Sequence, residues 1–229
     1  MTSLMSMTKM FGLWVKYWDK FLITGLGYTL SLAAIAVVLG TVLGALLALM
    51  RMAKLKPLNW IAGVYIEIIR GTPMLLQLYF FYFGLPKLIP ILNKQQFACV
   101  ALALVCNSAA YVSEIIRSGI QAVDIGQTEA ARSLGMSQSL TMTQIVLPQA
   151  VKNILPALGN EFIMLVKDTS LASTFFIGDI MTQYLLIKGA TYLSIEPLVI
   201  AAILYLVLTF ILSKLLAFFE RRMRRGDVR

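Results

Sequence analysis

Few residues in this chain are equipped for chemistry, and where they stand narrows what that chemistry is. Among 229 residues there is no histidine and there are eleven carboxylates. Without histidine there is no Ser-His nucleophile, no imidazole proton relay and no ordinary zinc or haem ligand set, so no catalytic group and no bound metal are expected. Cys99 and Cys106 stand seven apart in an apolar run. That spacing sets them about two turns apart on one helix face, too far for a disulfide, and they read as small buried hydrophobes. The remaining candidates sit inside apolar stretches. Glu67 with Arg70, and Glu114 with Arg117, are i,i+3 pairs that can neutralise each other on one helix face, as structural or gating ion pairs. Asn160 and Glu161 interrupt another apolar run that holds no basic residue one turn away. A carboxylate placed there needs a second helix, water or a cation from outside the chain. Asn107, Ser108 and Tyr111 add neutral hydrogen-bonding groups. A zwitterion needs donors for its carboxylate and acceptors for its ammonium, and this set supplies both; the same groups also serve as hydrogen-bonding glue between helices.

The elements that hold these groups must be membrane helices. The chain is 59% hydrophobic and 14% charged, with mean hydropathy +0.81. A soluble domain is nearer ~45–50% apolar and ~25% charged. The net charge of +9 is scattered rather than gathered on one face, so nucleic acid is not an expected partner. Apolar regions near 22–50, 58–83, 97–120, 150–166 and 197–219 predict about five spanning helices in an all-α fold. Pro73 beside Gly71 is placed to kink or break the second. Residues 1–20 interleave lysines with Phe11, Trp14, Tyr17 and Trp18, as an interfacial helix does, and do not read as a cleavable signal peptide. The mixed stretch 170–187 predicts a short helix packed at one membrane face. No linker or repeat divides the chain, so residues 1–229 read as a single membrane domain. Arg51, Lys54 and Lys56 follow the first span, and Arg221, Arg222, Arg224, Arg225 and Arg229 follow the last. The positive-inside rule makes both clusters cytoplasmic, with the N-terminus outside and the C-terminus inside.

On that topology the long polar interruption 118–149 is a cytoplasmic loop. Glu129-Ala130-Ala131 are good helix formers, Thr128 is the expected N-cap, and Gly135 suits the left-handed residue that ends a helix. Ser137 is placed to cap a second helix, expected to stop or bend before Pro148. The product is a helix–turn–helix presenting Leu134, Met136, Leu140 and Ile145, suited to docking in a groove on a soluble partner.

These residues also carry a resemblance. Glu129-Ala130-Ala131, three residues, Gly135, nine residues, Ile145, one residue, then Leu147-Pro148 resembles the E-A-A loop of ATP-binding-cassette importer permeases. Glu67-Ile68-Ile69-Arg70-Gly71-Thr72-Pro73, Asn107-Ser108-Ala109-Ala110-Tyr111 and Lys167-Asp168-Thr169-Ser170-Leu171 resemble segments of the polar amino-acid branch (histidine, arginine and glutamine permeases); Asp179 stands where that branch often has Glu. The resemblance implies a type I importer permease fold in the bacterial cytoplasmic membrane and a coupling loop that inserts into an ATPase. It also implies a translocation path for a polar L-amino acid past Asn107, Ser108, Tyr111, Asn160, Glu161, Asp168, Thr169 and Ser170. Glu161 would favour a cationic side chain. The implied partners are a second permease chain, identical or paralogous, two ATPase subunits and an extracytoplasmic solute-binding protein. No Gly-Lys pair of a Walker A loop occurs in the chain, so this subunit is expected to be non-catalytic and to bind no cofactor, with ATP and Mg2+ held by the ATPase. A secondary transporter driven by an ion gradient is the rival reading, and a membrane-embedded enzyme a more remote one.

Overall fold

The computed structural model describes residues 7–224 and is all-helical over its regular elements. Residues 1–6 of the N-terminal segment, and Arg225 and Arg229 of the C-terminal basic cluster, lie outside the described residues. Helix α1 runs Met7–Met52 without interruption, passing through a π-helical stretch at Lys20–Gly25. At about 1.5 Å per residue it is ~70 Å long, more than twice a ~30 Å hydrocarbon core. The aromatic N-terminal segment is therefore continuous with the first span from Met7 onward. It is also tied to the protein: Leu13 and Phe21 are buried in a cluster with Ile180, Tyr184, Ile187 and Ile200.

After α1 come α2 (Lys56–Arg70), α3 (residues 74–88) and α4 (Gln96–Gln121). The loop helix α5 (Ile125–Ser133) is followed by α6 (Gln138–Phe175), α7 (Ile180–Thr191) and α8 (Ile195–Arg224). All five apolar regions fold as helix, but not each as one straight rod. By length and composition α1, α4 and α8 can each cross a membrane alone, and α6 with α7, meeting at 40°, makes a fourth candidate. The second region is broken at Gly71-Thr72-Pro73.

The molecule is organised on the seam between α1 and α4. Ala36, Gly40, Gly44 and Ala48 recur every four residues on the buried face of α1. A Cβ on Gly40 would stand 2.7 Å from the Ser108 side chain, and one on Gly44 2.7 Å from Val112 and 2.9 Å from the Ala109 carbonyl. In lipid, helices gain little from hydrophobicity and associate through such close backbone approach. The G-x-x-x-G spacing of Gly40 and Gly44 was legible as a helix-packing signal and went unread.

Pro148 does not end the second loop helix. The chain passes it through a π-helical turn at Met142–Val146 and continues as α6. The wider turn accommodates a residue that has no N–H to give to the preceding turn. The 170–187 stretch resolves into a 3-10 turn at Thr169–Phe175, left-handed Phe176, and α7. Asp179 is fully buried and caps α7, accepting from Met181 N at 3.0 Å and from the Thr182 hydroxyl.

Candidate functional site

The loop helix α5 is fixed almost entirely by its own sequence. Its N-cap is Asp124, whose Oδ1 accepts from Gly126 N at 2.7 Å. Thr128, the expected cap, lies inside the helix, which begins three residues before it. The C-terminal end follows expectation. Gly135 has φ +84, with Met136 N donating to Ala131 O at 3.1 Å and Gly135 N to Arg132 O at 3.0 Å. That pair of bonds is a Schellman motif, which requires a left-handed residue at Gly135. Arg132 also donates to Met136 O at 2.7 Å, and Ser137 caps the next helix by accepting from Leu140 N at 3.2 Å. Ala131 is buried, while Glu129 and Ala130 are exposed. Leu134 is 85% exposed and Leu140 is also exposed; Met136 and Ile145 are half-buried, and Leu147 and Pro148 are exposed where α6 leaves the loop.

The break in the second apolar region is a built feature. Gly71 N donates to Glu67 O at 2.8 Å, and the Thr72 hydroxyl to Ile68 O at 2.9 Å. Gln77 Nε2 reaches back to Ile69 O at 2.7 Å, Thr72 O at 3.1 Å and Thr72 Oγ1 at 2.9 Å. Carbonyls freed at a broken helix would otherwise be unsatisfied in a membrane. Asn107 Nδ2 in turn donates to Gln77 Oε1 at 3.0 Å. Asn107 thus steadies the break from α4. Gln77, buried in an apolar run just after Pro73, is the site residue that sequence reasoning missed.

Glu161 and Ser108 come together across α4 and α6. The Glu161 carboxylate lies toward the Ser108 hydroxyl, which is fully buried without a close hydrogen bond. Among the described residues no cation stands within ion-pairing distance of Glu161. Neither obvious partner takes it: Lys167 contacts Met164 Sδ at 3.9 Å, and Arg117 is engaged by Glu114. Asn160, Lys167 and Tyr111 are exposed on α6 and α4, and Asp168 is half-buried. Thr169 is fully buried and its hydroxyl turns back to Val166 O at 2.7 Å, while Ser170 O accepts from Ser173 at 2.7 Å.

One of the two expected ion pairs forms and the other does not. Arg117 holds Glu114 with both arms, at 3.1 and 2.8 Å. Arg70 passes over Glu67 and reaches across to Glu114 at 3.6 Å, with its guanidinium 5.4 Å from the Tyr111 ring centroid. An interhelical acceptor and an aromatic face outcompete the local i,i+3 partner.

An all-helical multi-pass body, with one helical region broken in mid-span and a self-capped helix on its long loop, fits a membrane permease. A family model described as the binding-protein-dependent transport system inner membrane component matches residues 40–225, and the chain belongs to that family. It is a multi-pass inner-membrane permease subunit whose ATPase is a separate subunit. Over 207 residues it is 43% identical to the arginine transport system permease protein ArtQ of Bacillus subtilis (strain 168), covering 90% of this chain and 94% of that protein. It is 41% identical over 200 residues to the nopaline transport system permease protein NocM of Agrobacterium fabrum, covering 84% and 83%. Among solved structures, an amino acid ABC transporter crystallised with histidines superposes with TM-score 0.85 at 47% identity, covering 91% of this chain and 96% of that one. The inward-facing methionine ABC transporter MetNI shares the fold, with TM-score 0.69 at 17% identity.

Proposed function

We propose that this chain forms half of the translocation path of an ATP-driven importer for a polar L-amino acid. It works as one of two permease chains with two ATPase subunits, fed by an extracytoplasmic solute-binding protein. The observation that carries the reading is α5: a nine-residue helix, capped at both ends, that leaves Leu134 85% exposed. An apolar knob on a rigid polar loop fits a groove on a soluble partner and serves no purpose within the chain itself. Arg51, Lys54 and Lys56 follow the loop-side end of α1, and with the loop cytoplasmic the positive-inside rule favours an N-terminus outside.

The path runs along the exposed polar face of α4 and α6. Side chains such as Tyr111, Asn160 and Lys167, exposed within spanning helices, are costly against hydrocarbon and belong against water or a second chain. Glu161, which has no cation within ion-pairing distance among the described residues, is an acceptor for the positive end of a solute, and the names of the relatives (arginine, glutamine and nopaline systems) fit amino acids of this polarity. When the ATPase closes, force on α5 passes to α4 and α6, which flank it directly and carry Asn107, Ser108, Tyr111 and Glu161.

The test is uptake of L-arginine and L-glutamine by the complete complex in proteoliposomes. Uptake should require ATP; uptake driven by an ion gradient without ATP would overturn the reading. Glu161→Gln should lower the arginine-to-glutamine uptake ratio in assembled complexes, and an unchanged ratio would remove Glu161 from the path. A cysteine replacing Ser139 should be labelled only from the cytoplasmic side and one replacing Asn93 only from outside; the reverse pattern would overturn the orientation.

A further inference from the structure

A cavity of about 630 Å³ lies among α1, α2 and α4, lined by Arg51, Glu67, Arg70, Glu114, Arg117 and Gln121 with smaller neighbours. Neither Ser108 nor Glu161 lines it. It opens toward the loop end of the protein, since Gln121 is the last residue of α4 and Arg51 stands one residue from the end of α1.

The charges in this cavity are unevenly used. Glu114 is occupied by Arg117, and Arg51 is held by the Asn59 side chain, which returns a bond to the Arg51 carbonyl. Glu67 has no cation within ion-pairing distance among the described residues, although Arg70 stands one turn further along the same helix. Arg70 is 44% exposed, and its 3.6 Å contact with Glu114 is the longer of the two ion pairs, leaving guanidinium donors open to the cavity.

Three guanidiniums and two carboxylates in one pocket select against simple ions. A phosphate would meet Glu67 and Glu114, and a metal ion would meet three arginines, each a like-charge contact. A group carrying both charges a few ångströms apart meets neither penalty. An open carboxylate and an open guanidinium at i,i+3, roughly 5–6 Å apart between Cβ atoms, match the ammonium and carboxylate of an α-amino acid. We infer that this cavity is a second amino-acid subsite on the loop side of the permease, in which Arg70 takes the carboxylate and Glu67 takes the ammonium. The inference rests on the amino-acid import reading. The subsite reads the head group and not the side chain, so it accepts the delivered solute whatever its identity. Occupancy also draws on Arg70, which ends α2 just before the break and ties it to the helix leading into the coupling loop.

The experiment uses the purified complex with its ATPase in lipid nanodiscs, with radiolabelled L-arginine and L-glutamine as probes in equilibrium dialysis. Two classes of site per chain are expected. Glu67→Gln or Arg70→Gln should weaken one class by about tenfold or more while leaving the other in place, because each removes one side of a charge pair. Glu161→Gln should act only on the other class. In the wild-type complex agmatine, which lacks the carboxylate, and N-acetyl-L-arginine, which lacks the ammonium, should both fail to displace label from the Glu67-dependent class. This arm decides the matter even where a variant does not fold. A single class of site, or displacement by either analogue, overturns the subsite and leaves the import reading standing. Absence of any binding together with absence of ATP-driven uptake overturns the import reading itself.

Discussion

Between Asp124 and Ser137 the chain is held by its own neighbours: an Asp cap on Gly126, a Schellman turn at Gly135 and a serine cap on Leu140. The seam of α1 and α4 is held the other way, by Gly40 against Ser108 and Gly44 against Val112, residues far apart in the sequence. The loop presents an apolar side chain to solvent and needs a fixed shape more than burial. The seam needs close backbone approach and has no local means of enforcing it. A defect in the seam should therefore remove the protein, whereas a defect in the loop should remove only what the protein does with its partner.

Gly44→Leu tests the first half and carries the largest expected effect. Even the first carbon of the new side chain would stand 2.9 Å from the Ala109 carbonyl, a backbone atom that cannot turn aside. Overpacking of this kind costs ~1–3 kcal/mol and often more when backbone must move. We expect little monodisperse protein in size-exclusion chromatography. Gly27→Ala, whose Cβ would meet nothing within 4 Å, is the control and should leave the yield intact or improved. Equal yields from the two variants would break the comparison.

Gly135→Val tests the second half. No atom lies within 4 Å of the added Cβ, so the only penalty is φ +84, which a β-branched residue adopts with difficulty. That penalty, ~1–2 kcal/mol, falls on a local turn and not on the membrane body. The variant should express and melt like wild type, yet lose most ATPase co-purification and ATP-driven uptake. Gly135→Asn should retain both, since Asn tolerates the left-handed region. Loss of the folded body in Gly135→Val would show that loop and seam are not independent.

The same contrast explains what could be read in advance. The lipid environment, the apolar regions, the broken second helix and the Gly135 turn depend on composition or on neighbours a few residues apart, and all were legible. The choice of Glu114 over Glu67 by Arg70 depends on where α4 passes α2, and no spacing within either helix reveals it. Gln77 was a polar residue in an apolar run like Asn160, but its use became visible only when Pro73 had freed Ile69 and Thr72 carbonyls within its reach. The continuation of α6 past Pro148 rests on a π turn, whose ring size proline rules do not specify.

The mistaken cap is the place where a local rule failed locally, and it supports the smallest and sharpest prediction. Thr128 precedes Glu129 as a cap would, but Asp124 lies nearer the end of α4 and has a carboxylate that can reach Gly126 N at once. Starting there gives a nine-residue helix, still below the ~12–15 residues at which isolated helices become even marginally stable. Its ends consequently matter more than its interior. Asp124→Ala should cost ~0.5–2 kcal/mol of local stability by freeing the first turn's N–H groups and removing a negative charge from the positive end of the helix. Thr128→Ala removes a side chain from the helix interior, where alanine is the better helix former, and should be within ~0.5 kcal/mol of wild type. Amide hydrogen exchange across residues 125–133 reads the difference directly. Exchange there should speed up several-fold in Asp124→Ala, remain unchanged in Thr128→Ala, and leave α1 and α4 protected in both. Faster exchange in Thr128→Ala than in Asp124→Ala would return the cap to Thr128 and shorten α5 to little more than one turn, too short to hold Leu134 rigidly.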